Sequence, residues 1–352
     1  MHLPKLLSLF AAVGILLSLF TGPYAAAGKL RILSLNAEWF PGRSPEPSPL
    51  ATEIHLCQVQ HLLVEVNPDI LLLQEVRCRD AIHELLAVLP DFQLHTMSEF
   101  GFQQELVVAA RFEAVAAWTQ RWAPHQEYFQ PRGFALAVIN LPGAQSLAVY
   151  TVHKKSNFQA EEEDEEEANA ALRETSARQL VEHLQWLRGQ DWNPPLAGIV
   201  VGGDFNTTYP RPLVRGERTF AILKEGGLLP LGLRGIDHFL ACETGIQGKP
   251  QVFQGYRVSD HQPILLEIEL ETEVGWQRAE PLKMPGEGPW SCIAINVNQA
   301  TEADLQLLPG IGPVLARRIV ESRPFDTVDQ LRRVRGIGPV RLRRIRDLIY
   351  VE

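Results

Sequence analysis

The sequence predicts an α/β body followed by a small all-α appendage, and two patterns carry that reading. Along residues 29–270, short runs of Val, Ile and Leu alternate with longer stretches whose apolar residues recur at helical spacing, as in an α/β domain. From residue 291 a short segment repeats instead. Leu308-Pro309-Gly310-Ile311-Gly312-Pro313-Val314 returns as Val334-Arg335-Gly336-Ile337-Gly338-Pro339-Val340, a period of 26 residues from Gly310 to Gly336. Between them, residues 271–290 read as a linker. Glu280-Pro281, Met284-Pro285-Gly286 and Gly288-Pro289 break any periodicity.

Charge divides along the same line. The chain of 352 residues carries −9, yet residues 301–352 hold ten Arg against seven Asp or Glu, +3, which leaves −12 on the rest. A basic tail on an acidic body suits a polyanion partner. At the other end, residues 1–27 read as a signal peptide: Lys5, an apolar core from Leu6 to Phe20, and the small residues Ala25-Ala26-Ala27. Cleavage would leave an exported protein, periplasmic or extracellular, without stable membrane association; an uncleaved anchor is the alternative. Cys57, Cys78, Cys242 and Cys292 match no zinc spacing. Export permits disulfides, and Cys57 and Cys78 flank one helix–strand unit and are the favoured pair; four free thiols are the alternative.

Taken in order, Leu30 to Leu35 is a strand that runs into Asn36-Ala37-Glu38. A helix follows from about Thr52, its candidate cap, to Val66, and Asn67-Pro68-Asp69 stops it. Ile70 to Leu73 is a buried strand with Glu75 at its mouth, where open α/β sheets place ligands. A second helix covers about Asp80 to Leu89. Strands are expected at Leu106–Ala110, Phe134–Ile139 and Leu147–Val152, the last leading into His153. The acidic run Glu161 to Glu167 reads as a solvated loop or a helix start, with helix from about Ala168 to Arg188. A calcium site is the sharper alternative for that run, but it lacks an alternating ligand pattern and a glycine turn. Ile199 to Val201 is another buried strand, ended by Gly202-Gly203 and followed by Asp204 and Asn206. Two apart, these leave an extended chain on the same side, as a hard cation and a phosphate oxygen require; a local turn is the plainer reading. The last strand, Leu265 to Leu270, follows Ser259-Asp260-His261-Gln262-Pro263.

Six of these segments, in this order, resemble the endonuclease/exonuclease/phosphatase superfamily over residues 29–270. They are Leu35-Asn36-Ala37-Glu38, Leu73-Gln74-Glu75, Val152-His153, Gly203-Asp204-Phe205-Asn206, Ile236-Asp237-His238 and Ser259-Asp260-His261-Gln262-Pro263. The resemblance implies two mixed sheets packed face to face, helices outside, and one metal-dependent phosphoesterase site at the strand ends. A divalent ion neutralises a phosphodiester and polarises its P–O bond. Mg²⁺ is expected, with Mn²⁺ or Ca²⁺ as alternatives, held by Glu75, Asn36 and, by resemblance, Asp260. His261 paired with Asp237 could take the proton of an attacking water, and Asp204 is the competing base. His153 would act as an acid or a phosphate contact; deoxyribonuclease I-like members have histidine there, where AP endonucleases have tyrosine. Asn206 and Asn36 would donate to phosphate oxygens, and Arg132 resembles a phosphate contact. Gln104 and Glu105 are the candidate partners of His153.

The repeated segment resembles the tandem helix-hairpin-helix module of the DNA-uptake competence proteins over residues 291–352. Gly310, Gly312, Gly336 and Gly338 would let backbone N–H groups approach phosphates at helix N-termini. Ile311 and Ile337 would anchor the hairpins, and Arg317, Arg318, Arg341, Arg343 and Arg344 add charge. Such contacts read backbone and not bases. The expected protein is an exported, metal-dependent DNA endonuclease held on DNA by its tail. An extracellular phosphodiesterase or lipid phosphatase is the alternative, since relatives cleave sphingomyelin and inositol phosphates. A non-catalytic DNA-capture protein is the other.

Overall fold

The computed structural model describes residues 29–352 except 125–129, 158–159, 161, 233–234, 243–245, 247, 255–257, 270–275 and 285–293. The signal-peptide segment lies outside that range. The body runs β1 (Lys29–Phe40), α1 (Pro49–Val66), β2 (Ile70–Val76), α2 (Arg79–Leu86), β3 (Gln93–Met97), β4 (Glu105–Ala110), β5 (Ala114–Arg121), β6 (Gly133–Leu141), β7 (Gln145–His153), α3 (Glu163–Arg188), β8 (Leu196–Asp204), α4 (Thr219–Glu225), β9 (Leu228–Pro230), β10 (Asp237–Cys242), β11 (Gln251–Val252) and β12 (Ile264–Glu269). Two six-stranded sheets form, in the orders β11-β12-β1-β2-β4-β3 and β5-β6-β7-β8-β10-β9. Both are mixed: β1 and β2 pair in parallel within the first, and β7 and β8 within the second.

Burial explains the layering. Leu30, Ile32, Ile70, Leu72, Val149, Val200 and Phe239 fill the space between the sheets. The outer face of the first sheet packs on α1 and α2 through Leu33, Leu35, Leu62, Leu63 and Leu85. That of the second packs on α3 and α4 through Tyr150, Val201, Leu180, Leu184 and Leu223. Central strands such as β2 bury side chains on both faces, which is why they read as continuous apolar runs. The two-sheet sandwich with outer helices is therefore the observed architecture.

Local differences from expectation have local causes. Helix α1 starts at Pro49, earlier than Thr52, because Ser48 caps it: its Oγ accepts the Ala51 N–H at 3.0 Å, and Pro49 suits the first turn. Helix α3 starts at Glu163 and takes four acidic residues, Glu163 to Glu166, into its first turn, where the helix dipole favours them. Cys57 is disulfide-bonded while Cys78 is a free thiol, so the Cys57–Cys78 pairing is wrong; Cys242 is also free, and Cys292 lies outside the described residues. Strand β5 carried no sequence signal because its half-exposed residues, Ala114 to Arg121, are weakly apolar.

After the body, Trp276 and Arg278 both donate to buried Asp69, the Ala279 N–H to Asp91, and the Leu282 N–H to the Val88 carbonyl. This part of the linker is strapped along the body. The tail contains β13 (Ile295–Asn296), α5 (Glu302–Leu305), α6 (Pro313–Glu321), a 3-10 turn at Val328–Arg333, α7 (Pro339–Ile345) and β14 (Ile349–Tyr350). Strands β13 and β14 pair in parallel and close the module. Ile311 and Ile337, 4% and 2% exposed, anchor the two hairpins in its core. Ile54 of α1 belongs to that same core.

Candidate active site

Register brings the second sheet's polar residues into line. His153 on β7 and Asp237 on β10 are both paired with Asp204 on β8, so three adjacent strands present them on one rung. Gly203 makes this possible: its φ is +141°, and an added Cβ would lie 2.2 Å from the Val152 carbonyl. From the first sheet come Asn36 and Glu75, each beside a break in strand pairing. Glu38, Trp39, Glu75 and Asn206 all have positive φ, at 48°, 54°, 61° and 51°. Non-glycine residues hold such angles only where their surroundings over-determine them.

Asn36 is the hub. Its Nδ2 donates to Asp204 Oδ2 at 3.0 Å and to Glu75 Oε1 at 3.2 Å, and lies 3.4 Å from His261 Nε2. Its Oδ1 accepts the Glu38 N–H, so the amide orients the carboxylates around it. His153 Nε2 lies 3.4 Å from Asp204 and 3.7 Å from Glu75. His261 Nδ1 meets Asp237 Oδ2 at 2.7 Å, and its Nε2 lies 3.8 Å from Asp204. Asn206 binds Asp204 through both its backbone N–H and its amide.

Seven of the residues singled out above therefore converge: Asn36, Glu75, His153, Asp204, Asn206, Asp237 and His261. Asp260 stands at the rim. It is exposed, its N–H bonds Glu38, and its Oδ1 accepts from Ser259. Arg132 lies behind the cluster, donating to the Lys154 carbonyl and to Gln104. Neither Gln104 nor Glu105 is hydrogen-bonded to His153. Glu105 instead clamps the loop before it by accepting from Ser98, Phe100 and Gly101.

Three supporting residues were given no role from sequence. Ser259 ties the last segment to the first, donating to the Asn36 carbonyl and accepting the His261 N–H. Glu38 accepts from Arg43 and from Asp260. Lys154 is fully buried, donates to Ser176, and lends its carbonyl to Arg132 and Asn206. Only the His153-Lys154-Lys155 run hinted at it.

Electrostatics separates the groups. Burial alone would lower His261, but the bond and charge of Asp237, with Asp204 and Asp260, raise it to about 10. Burial would raise Asp204; bonding to His153, the charges of both imidazoles and the Asn206 N–H instead hold it down at about 2. Burial, then the Arg132 charge, lowers His153. The carboxylate oxygens of Glu75 and Asp204 suit a hard divalent ion, while the amides of Asn36 and Asn206 turn their N–H groups to the cluster. Atoms of Asp204, Asp237 and His261 lie within 4.8 Å of one another and form one candidate set. The 2.7 Å bond already satisfies Asp237 and His261 mutually, so Glu75 is the freer carboxylate.

A two-sheet sandwich with a carboxylate–imidazole cluster at its strand ends is the arrangement the sequence resemblance implies. Residues 33–261 match the model of the Endonuclease/Exonuclease/phosphatase family, and the chain belongs to that family. Residues 291–350 match the helix-hairpin-helix motif. A curated relative, a deoxyribonuclease from Thioalkalivibrio sp. (strain K90mix), is 35% identical over 121 residues, 34% of this chain and 32% of the relative. The chain thus spans about a third of that relative's length. Among solved structures, a mannosyl-6-phosphatase from Bacteroides thetaiotaomicron VPI-5482 is similar at TM-score 0.52 and 15% identity, covering 68% of this chain and 99% of its own. A sphingomyelinase C from Streptomyces griseocarneus gives 0.50 and 15%, with 68% and 99% covered. These two likenesses are of fold alone.

Proposed function

We propose that the chain is an exported, divalent-metal-dependent DNA endonuclease with little sequence preference. The observation that carries this reading is the joining of two features in one chain. A phosphoesterase cluster is centred on Asn36, and a tandem hairpin module exposes Gly310, Gly312, Gly336 and Gly338.

Glu75 would hold the ion, Mg²⁺ in the first instance, with Asn36 beside it and Asp260 at the rim; when bound, it neutralises the phosphate and polarises the P–O bond. The chain's own residues do the rest. Asp237 fixes His261 so that Nε2 faces the cluster. The carboxylate charge that keeps His261 protonated is the charge a cation offsets. With that charge offset, a neutral His261 would be able to accept a proton from water at Nε2. Asp204 stays ionised and is the competing acceptor. Asn206 and Asn36 supply N–H groups to phosphate oxygens, His153 protonates the leaving oxygen or contacts phosphate, and Arg132 adds positive charge behind it.

The hairpins support DNA over a lipid or sugar phosphate. Helices α6 and α7 are capped by Gly312 and Gly338 with Pro at the first position, so their first-turn N–H groups have no partners within the helix. Arg341 and Arg344, with Pro309, Gly310, Gly338 and Val340, line a cleft of about 320 Å³ between the hairpins. Arg317 and Arg343 are exposed, and Arg318 ties the hairpins together by donating to the Arg335 carbonyl.

Supercoiled plasmid incubated with Mg²⁺, Mn²⁺, Ca²⁺ or chelator tests this reading. Nicking is expected with at least one ion and none in chelator. Glu75→Gln should cut activity by orders of magnitude, with partial recovery at high metal concentration. Cleavage that survives chelator would refute the metal-dependent mechanism.

A further inference from the structure

We infer that the hairpin module is a fixed arm, locked to the body in a set position relative to the active site, so that one duplex must engage both. This rests on the DNA reading above and adds a geometry to it.

The observations lie between Glu38 and Asp304. Glu38 belongs to the active-site rim, where it accepts the Asp260 N–H at 2.9 Å. Arg43 grips Glu38 at 2.6 Å. The Gly42 N–H donates to Nδ1 of His55, a buried residue of α1, at 2.9 Å. Gly42 also packs against Pro47, closely enough that an added Cβ would lie 2.3 Å from it. Ser48 then does two things: it caps α1 and it donates to Asp304, the buried capping-box residue of α5. Leu50 and Ile54, one α1 turn on, insert into the module's apolar core. The loop between β1 and α1 thus joins the rim to the module as a fastened bracket.

The strap at Trp276–Leu282 fastens the chain leading to the module along the body as well. A tether of flexible chain would need none of these contacts, and would leave Leu50 and Ile54 facing solvent.

The reach follows from the chain. Arg43 and Ser48 are five positions apart, so their Cα atoms are at most about 18 Å apart. The rim and α5 therefore lie within roughly one duplex turn, about 34 Å, and on this inference a duplex of about 20 base pairs would span the active site and both hairpins. The substrate inferred is a continuous duplex of that length. On shorter pieces the arm and the site compete for one molecule without cooperating.

Ser48→Asp breaks the dock without removing the cap, because Asp is also a good cap but sets a second carboxylate against Asp304. It is made together with Cys57→Ser, which removes the disulfide on the same helix; Cys57→Ser alone is the control. Small-angle scattering reports the arm without DNA. The wild type should fit a single compact particle and the undocked variant a larger, spread population; a spread wild type overturns the inference. With duplexes of 10 to 40 base pairs, wild-type kcat/KM should rise about tenfold and level off near 20. The undocked variant should bind long duplex within about twofold of wild type by anisotropy, yet keep less than a threefold rise. Adding Asp304→Asn, which can donate to Asp at position 48, should restore the rise. Identical length dependence in wild type and undocked protein shows a simple tether. Loss of DNA binding and cleavage in every protein, with the wild type compact, would sink the DNA reading and leave the fixed arm standing.

Discussion

On the proposed function, the site cluster and the hairpin module would handle the same chemical group, a phosphate, by opposite means. The cluster is non-local: Asn36 and His261 approach within 3.4 Å across 225 residues of chain. It is buried, internally bonded, and flanked by backbone at positive φ. The module is local. Each hairpin is one contiguous turn, its glycines exposed and its isoleucine buried beneath. Chemistry demands groups pre-set against one another, so a large scaffold must hold them. Holding a phosphate demands only free N–H groups at a helix start, which a few residues supply.

The sharpest way to break this contrast is at His261. His261→Ala should lower kcat by about 10²–10⁴-fold, the range for loss of a general base, while affinity for uncleavable duplex stays within about twofold. Asp204→Asn under the same assay decides between the two candidate bases. If affinity collapses and single-turnover cleavage persists in His261→Ala, the residue binds DNA and the base lies elsewhere.

Next come the hairpin glycines, which the structure divides into two kinds. Gly310 and Gly336 sit at φ +81° and +106°, and a Cβ on Gly336 would lie 2.7 Å from Leu315 Cδ2. Alanine there strains the module itself, by roughly 1–2 kcal/mol per site. Gly312 and Gly338 have ordinary extended φ of −99° and −85°, and an added Cβ meets nothing within 4 Å. Gly312→Ala with Gly338→Ala should therefore fold normally and crowd only the phosphate. Duplex affinity should drop about tenfold, and the log–log salt slope should flatten by about 1 for each phosphate released. An unchanged slope would assign the module to another partner.

The smallest effect on turnover concerns acid. Burial, then the charge of Arg43, lowers the folded His55 to about 3 from its ordinary 6.5. The folded state prefers the neutral ring, so its stabilisation is complete above pH 6.5 and is lost as pH falls from there towards 3. His55→Asn keeps an acceptor for the Gly42 N–H and removes the titration. The variant's melting temperature should fall less than the wild type's between pH 7 and 4.5. Parallel curves would show that His55 does not set the acid limit.

Legibility in sequence followed the same local and non-local division. The hairpins could be read whole, because every residue that makes one is its neighbour. The candidate site residues could be found, since most stand at an end of a recognisable apolar run. What joins them could not. The assumed partners of His153, Gln104 and Glu105, are occupied elsewhere, and Ser259 and Glu38 became visible only once register placed the last segment beside the first. The rung of His153, Asp204 and Asp237 likewise depends on strand pairing that no single segment encodes. Ser48 is a different case: its capping signal was present in Ser48-Pro49 and was overlooked in favour of Thr52.

That rung has a consequence for how the enzyme comes into being. Side chains alternate along a strand, so a slip of one residue in β7, β8 or β10 turns its polar group to the opposite face. Asn36 is made early in synthesis and His261 late, and β1 cannot pair with β12 until nearly the whole body has been made. A half-made or misregistered chain would therefore lack the assembled cluster. On the proposed function, hydrolytic activity would have to wait until the two ends of the body meet.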